Sequence, residues 1–335
     1  MSSETLLAAL NGREPGRLDE DPVAQLARAE TGVAIGWLDR EAFLAFAGAD
    51  RGAFLHRLLT ADLALLDANR GRRSLLLDTK GKIVADLDIW GGEPTWMGVI
   101  DRDLQTLVVE QLRRYVLRAD VTIEAGEQTA LALVGPGSDA LLQAVGAASP
   151  EGPYLSVEST IAGVRVRVLR SDRVPWGCVL VAEEGVAAVI AALYMAAPGL
   201  GTLGPTAQET LRVRAGVPRV GHELTGAEFP QEAGLDGAVS FEKGCYLGQE
   251  TVARIHYRGH VNRQLCRLRL SGAVQVPAAL EVDGREVGQL TSVVADGDDA
   301  KGLGYVRREQ AIPEQSLRVA GHDEILAGVE SLARG

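Results

Sequence analysis

The chain is short of the residues that usually announce a special environment. Aromatics are only 4% of its 335 residues, so a core must come mainly from Leu, Val, Ile and Ala. Its three cysteines, Cys178, Cys245 and Cys266, are odd in number and irregular in spacing. That fits a reducing compartment better than a disulfide scaffold. No CxxC pair occurs, and no resident metal site is expected. No stretch reaches the roughly 18 uninterrupted apolar residues of a membrane helix, and residues 1–17 lack the apolar segment of a signal peptide. Basic runs are absent too. With a net charge of −11, the chain lacks the clustered Lys and Arg that sequence-independent nucleic-acid binding requires. A cytoplasmic protein without direct nucleic-acid or membrane partners is expected.

What is present is globular: 46% apolar and 24% charged residues, in a chain long enough for two or three packed units. Residues 1–21, punctuated by Asn11-Gly12, Pro15-Gly16 and Asp21-Pro22, read as a loosely docked leader. Asp50 reads as the cap of a helix to about residue 66. Runs 74–78 and 83–90 read as a β-hairpin turning at Thr79-Lys80-Gly81-Lys82, followed by a helix over 103–118. Strands at 121–124, 131–134, 164–169 and 178–182, with helices from about 138 and over 184–196, favour α+β units over a doubly wound sheet. Short strands at 264–270, 279–282, 286–294, 302–306 and 316–319 predict a C-terminal β-barrel. The expected domains are residues 22–260, as two ferredoxin-like α+β subdomains, and residues 261–335 as the barrel.

The densest cluster of unusual residues runs from Phe229 to Gly259. Gly244 and Gly248 flank Cys245-Tyr246, which lets the backbone turn sharply. Lys243 precedes the thiol by two residues, and an ammonium near a thiol at a helix start favours the thiolate. Glu250 and Arg254 have the spacing of a helical ion pair. The same residues also read plainly, as a small core cysteine and a solvated pair, and the spacing leaves both readings open. Two weaker patterns carry less. Gly199-Leu200-Gly201-Thr202-Leu203-Gly204 matches a dinucleotide fingerprint but lacks its strand-before, helix-after context. His256 and His260 are four apart, but Gly259 and the arginine-rich surroundings argue against a ligand pair.

Lys243-Gly244-Cys245-Tyr246-Leu247-Gly248-Gln249-Glu250 resembles the K-G-C-Y-x-G-Q-E signature of YgfZ-type proteins, a branch of the glycine-cleavage T-protein (aminomethyltransferase-like) superfamily. Phe229-Pro230-Gln231-Glu232 upstream and Val252-Ala253-Arg254 with Tyr257-Arg258-Gly259 downstream agree with it. So do Gly48-Ala49-Asp50 with Phe54-Leu55-His56, the segment Leu211 to Pro218, and Gly302-Leu303-Gly304-Tyr305-Val306. The resemblance implies subdomains and a barrel arranged around a central opening that receives tetrahydrofolate or a derivative. It offers Asp86, Gln231, Glu232 and Gln249 for the pterin edge, Arg254 or Arg258 for the glutamate tail, and Tyr246 and Glu250 as further site residues. Cys245 would be the working thiol and Lys243 its helper.

Three departures from the T-protein pattern bear on activity. Its adjacent Asp pair is here Ala85-Asp86, its T-G-E-D-G segment is Arg173-Val174-Pro175-Trp176-Gly177, and Gln208 stands where an Arg is usual. Glycine cleavage is therefore not expected. The resemblance instead implies a folate-dependent accessory factor that maintains or assembles iron–sulfur enzymes, linked also to tRNA modification, with iron–sulfur client or assembly proteins as partners. A folate-dependent one-carbon transferase or demethylase, and a non-catalytic folate-binding interaction module, are the alternatives.

Overall fold

A computed structural model describes residues 21–64, 66–174 and 177–333. The stretch 1–20, most of the expected leader, lies outside the described residues. Two compact units emerge, and the chain passes between them more than once: one gathers residues of Met1–Gly52, Leu65–Arg72 and Leu87–Gln208, the other Ala53–Ala64, Arg73–Asp86 and Glu209–Gly335.

The helices in chain order are α1 (Pro22–Thr31), α2 (Arg51–Leu58), α3 (Gln105–Arg113), α4 (Ser138–Ala144), α5 (Val186–Ala196), α6 (Pro205–Ala215) and α7 (Gln249–Arg258). Local chemistry sets their ends. Asp21 caps α1 by accepting from the Ala24 N–H at 3.1 Å, and Pro22 occupies its first turn. The helix expected to reach residue 66 stops at Leu58, because beyond it the chain runs extended along a neighbouring strand. Leu59 bridges Leu76, the Thr60 N–H donates to the Leu75 carbonyl, and the Thr60 hydroxyl accepts from the Leu75 N–H.

In the first unit, strands β1 (Ala34–Trp37) and β2 (Glu41–Ala47) precede a hairpin of β3 (Gly71–Leu77) and β4 (Ile83–Trp90), whose stretch Arg73–Asp86 counts with the second unit. Strands β5 (Trp96–Asp101), β6 (Thr122–Gly126), β7 (Thr129–Val134), β8 (Ser156–Ile161), β9 (Val164–Leu169), β10 (Gly177–Ala182) and β11 (Gly201–Leu203) follow. One sheet has the order β11-β1-β7-β10-β9-β8, the other β3-β4-β5-β2-β6. Strand β10 is buried at all six positions because both its faces are covered. Cys178, Leu180 and Ala182 point into a core with Leu141 and Leu142 of α4 and Val189, Ile190 and Leu193 of α5. The alternate residues Val179 and Val181 pack with Phe43, Trp90, Val99, Ala130 and Leu169. The Gly199–Gly204 run is no phosphate loop: Gly201–Leu203 pairs parallel with β1, and the Gly204 N–H donates to Gln25 Oε1 at 2.7 Å.

The second unit ends in a closed barrel of β12 (Arg263–Leu270), β13 (Ala278–Val282), β14 (Arg285–Asp296), β15 (Asp299–Arg307), β16 (Ser316–Val319) and β17 (His322–Leu332), in the order β12-β15-β14-β13-β16-β17. Leu268, Leu270, Leu280, Leu290, Val306 and Val319 fill it. The α+β class and the C-terminal barrel agree with the sequence reading. That reading missed β17, which closes the barrel against β12 and β16.

Candidate functional site

The signature segment is built on a close approach of backbone. Gly248 sits at φ +78° just before α7, and a Cβ there would lie 2.4 Å from the Asp78 carbonyl oxygen, so only glycine fits. Asp78 in turn shapes the hairpin tip, its Oδ1 accepting from the Lys80 and Lys82 N–H groups at 2.8 Å each. Leu75, Leu77 and Ile83 of that hairpin share a core with Tyr246 and Val252.

Within this frame Cys245 is exposed, whereas Cys178 and Cys266 are buried. Burial pushes both of those thiols up to about 12. Lys243 is anchored on backbone carbonyls. Its Nζ donates to the carbonyls of His56, of Leu59 at 2.5 Å and of Ala61 at 3.0 Å, and so uses all three ammonium hydrogens. Burial lowers the Lys243 pKa to about 8. Lys243 thereby fastens the cysteine turn to the end of α2 and the chain just beyond it.

The remaining sequence-derived residues divide into engaged and open ones. Asp86 is buried and held by two parallel hydrogen bonds from Arg73, at 3.0 and 2.8 Å, which makes it one half of an internal ion pair. Glu232 accepts from the Phe229 N–H at 2.9 Å and from Arg263 Nε at 3.2 Å. Gln231 Nε2 donates to the Val252 carbonyl at 3.0 Å, while its buried Oε1 has no partner among the described residues. Tyr246 is buried, its hydroxyl likewise without a partner among the described residues, and desolvation raises its pKa to about 12. Gln249 begins α7, half-buried. Glu250, Arg254 and Arg258 are exposed, and among the described residues Glu250 and Arg254 form no ion pair, contrary to their spacing. Nor do the described residues hold any group of three or more His, Cys, Asp or Glu side chains suited to a metal ion.

Sequence reasoning missed a small cleft in the first unit, lined mainly by Phe43, Val99, Leu169, Val179 and Val181 with Trp90. Its polar side holds Glu41, Asp88, Ser171 and Arg173. Asp88, 1% exposed, accepts from Ser171 Oγ at 2.6 Å and pairs with Arg173 Nε at 3.2 Å. One signal was available in the sequence: Asp86, Asp88 and Trp90 alternate along β4, which puts two acids and an indole on the same face of a strand otherwise apolar.

This fold has known counterparts. A family model described as the GCVT N-terminal domain matches residues 30–243, well over half the chain, and the protein belongs to that family. The crystal structure of the glycine cleavage system aminomethyltransferase T from Bartonella henselae superposes with a TM-score of 0.83, covering 93% of this chain and 90% of that one at 22% identity. That likeness is one of fold. Among curated homologues, the tRNA-modifying protein YgfZ of Klebsiella pneumoniae is 30% identical over 73% of both chains. The human mitochondrial iron–sulfur cluster assembly factor IBA57 is 30% identical over 75% of this chain and 72% of its own. No described helix is long and apolar enough to cross a membrane.

Proposed function

We propose that this protein is a tetrahydrofolate-binding accessory factor for the assembly or maintenance of iron–sulfur enzymes, including those that modify tRNA, with Cys245 as its working thiol. The observation that carries the reading is the presentation of Cys245: an exposed thiol on a turn fixed by Gly248 and by the three-carbonyl anchor of Lys243. A structural cysteine would be expected in the core, as Cys178 and Cys266 are. The homologues named for tRNA modification and for iron–sulfur cluster assembly supply the direction.

Folate suits the cleft of the first unit. A pterin is flat and needs apolar walls with a few fixed polar groups, and the cleft is lined in that way. Asp88 and Ser171 offer the polar edge. Aminomethyl transfer is not part of the proposal. Ala85 replaces one acid of the pair, and Asp86, the other, is committed to Arg73.

The test has two arms. Calorimetric titration with tetrahydrofolate should give saturable binding to the wild-type protein, with no turnover of a lipoyl carrier in a glycine-cleavage assay. In bacteria deprived of their own YgfZ, wild-type protein should restore the activity of an iron–sulfur enzyme and Cys245→Ser should not. Equal rescue by both would remove the thiol from the mechanism.

A further inference from the structure

We propose that the indole N–H of Trp90 is the group that reads the ligand of the first-unit cleft, donating to a hydrogen-bond acceptor on the edge of a flat heterocycle. This rests on the folate reading, in which the heterocycle is the pterin of tetrahydrofolate. Trp90 is 0% exposed and lines the cleft, yet its Nε1 has no hydrogen-bond partner among the described residues. A buried donor left unpaired is costly, and nearly all such groups in folded proteins are satisfied.

The ring is not free to turn elsewhere. A Cβ at Gly71 would lie 2.6 Å from Trp90 Cε3, so the indole packs directly on bare backbone. Tyr154 stacks with it at 5.9 Å and 27°, and the Arg167 guanidinium lies 5.9 Å from the ring centroid. The acid on the same strand face does not serve as acceptor in its place: Asp88 is engaged by Ser171, Tyr154 and Arg173 and takes no hydrogen bond from the indole.

The class of ligand follows from these facts. Apolar walls favour a flat ring. A purely hydrocarbon ring would leave the N–H unpaired, and one presenting a donor would oppose it. An acceptor such as a ring carbonyl or ring nitrogen satisfies it. A trapped water is the competing partner, since Glu41, Asp88, Ser171 and Arg173 border the same cleft, and the experiment separates the two.

The experiment reads the N–H directly. In ¹⁵N-labelled protein, Trp90→Phe identifies the Trp90 indole resonance by its loss. Saturation of the wild type with tetrahydrofolate should move that resonance downfield and slow its exchange with solvent. Trp90→Phe, which keeps an aromatic wall without the donor, should weaken calorimetric binding about tenfold. Should this variant fail to fold, Trp37→Phe, Trp96→Phe and Trp176→Phe assign the resonance by elimination, and its response in the wild type decides. Tetrahydrofolate that binds while the Trp90 resonance stays put, or that binds the Phe variant equally well, overturns this inference and leaves the folate reading intact. A resonance already downfield and slowly exchanging in the free protein, and indifferent to folate, identifies trapped water as the partner and overturns it too. Wild-type protein that does not bind tetrahydrofolate overturns both.

Discussion

Lys243 holds the carbonyl of Leu59 at 2.5 Å, across 184 residues of sequence, and this contact ties the cysteine turn to the segment following α2. Burial sets the Lys243 pKa at about 8, against about 10.4 for an unfolded lysine. Between those values the unfolded chain holds a proton that the fold has released, so stability contributed through this group rises with pH. Below about 8 both states are protonated and the contribution is flat. Urea midpoints of wild type and Lys243→Met should therefore run parallel from pH 6 to about 7.5, and the wild type should gain on the variant towards pH 10. Curves that stay parallel throughout would mean the ammonium keeps its proton in the folded state.

Cys245 is the exposed thiol of the three, and the other two are pushed to about 12 by burial. Brief treatment of native protein with iodoacetamide should label Cys245 alone, with Cys178 and Cys266 reacting only after denaturation. Peptide mass spectrometry gives the stoichiometry at each site. Native labelling of Cys178 or Cys266 at a comparable rate contradicts the burial described here.

The turn at Lys243 illustrates what the sequence can and cannot disclose. Its glycines were legible, because a left-handed residue and a helix start leave local marks, whereas the spacing left the exposure of its cysteine open. The lysine's partners were not legible. Spacing suggests Cys245, two residues away, whereas the ammonium's acceptors are 182 to 187 residues distant. The hairpin of β3 and β4 and most of the barrel were legible through alternation and turn residues. Strands β1 and β2 were missed because Ala34–Trp37 is only four residues long, and Glu41–Ala47 has Ala at three of its seven positions and no β-branched residue. The cleft was invisible for a different reason: residues from 38 to 181 line it, and only folding brings them together.

Asp86 was expected to face a ligand and instead accepts both arms of the Arg73 guanidinium, with each residue at most 5% exposed. Removing one partner of a buried pair strands the other charge. Asp86→Ala should cost about 3–5 kcal/mol in chemical denaturation, whereas the double variant Arg73→Met/Asp86→Leu should recover most of that loss. An Asp86→Ala protein as stable as wild type, but unable to bind tetrahydrofolate, would return Asp86 to the ligand site.

Glu223 is 0% exposed and accepts four hydrogen bonds, close to the capacity of a carboxylate. Oε2 takes Arg212 at 2.9 Å and the Arg219 N–H at 3.0 Å, and Oε1 takes the hydroxyls of Thr291 at 2.7 Å and Ser292 at 2.6 Å. These contacts bind α6 and the loop after it to strand β14 of the barrel. Glu223→Ala leaves the half-buried Arg212 with Glu209 as its remaining carboxylate and empties a polar pocket, which should cost about 3–5 kcal/mol. Glu223→Gln should cost less, about 1.5–3 kcal/mol, the worth of a hydrogen bond to a charged group. The amide oxygen can still accept from Arg212 and Arg219. Its NH2 can donate to Thr291 Oγ1, which stays free to donate to the Leu303 carbonyl, already 2.9 Å away. Thermal and urea unfolding should therefore rank wild type above Gln and Gln above Ala. A reversed order of the two variants would mean that the amide cannot satisfy arginine and hydroxyl together, so that charge, not shape, holds this junction.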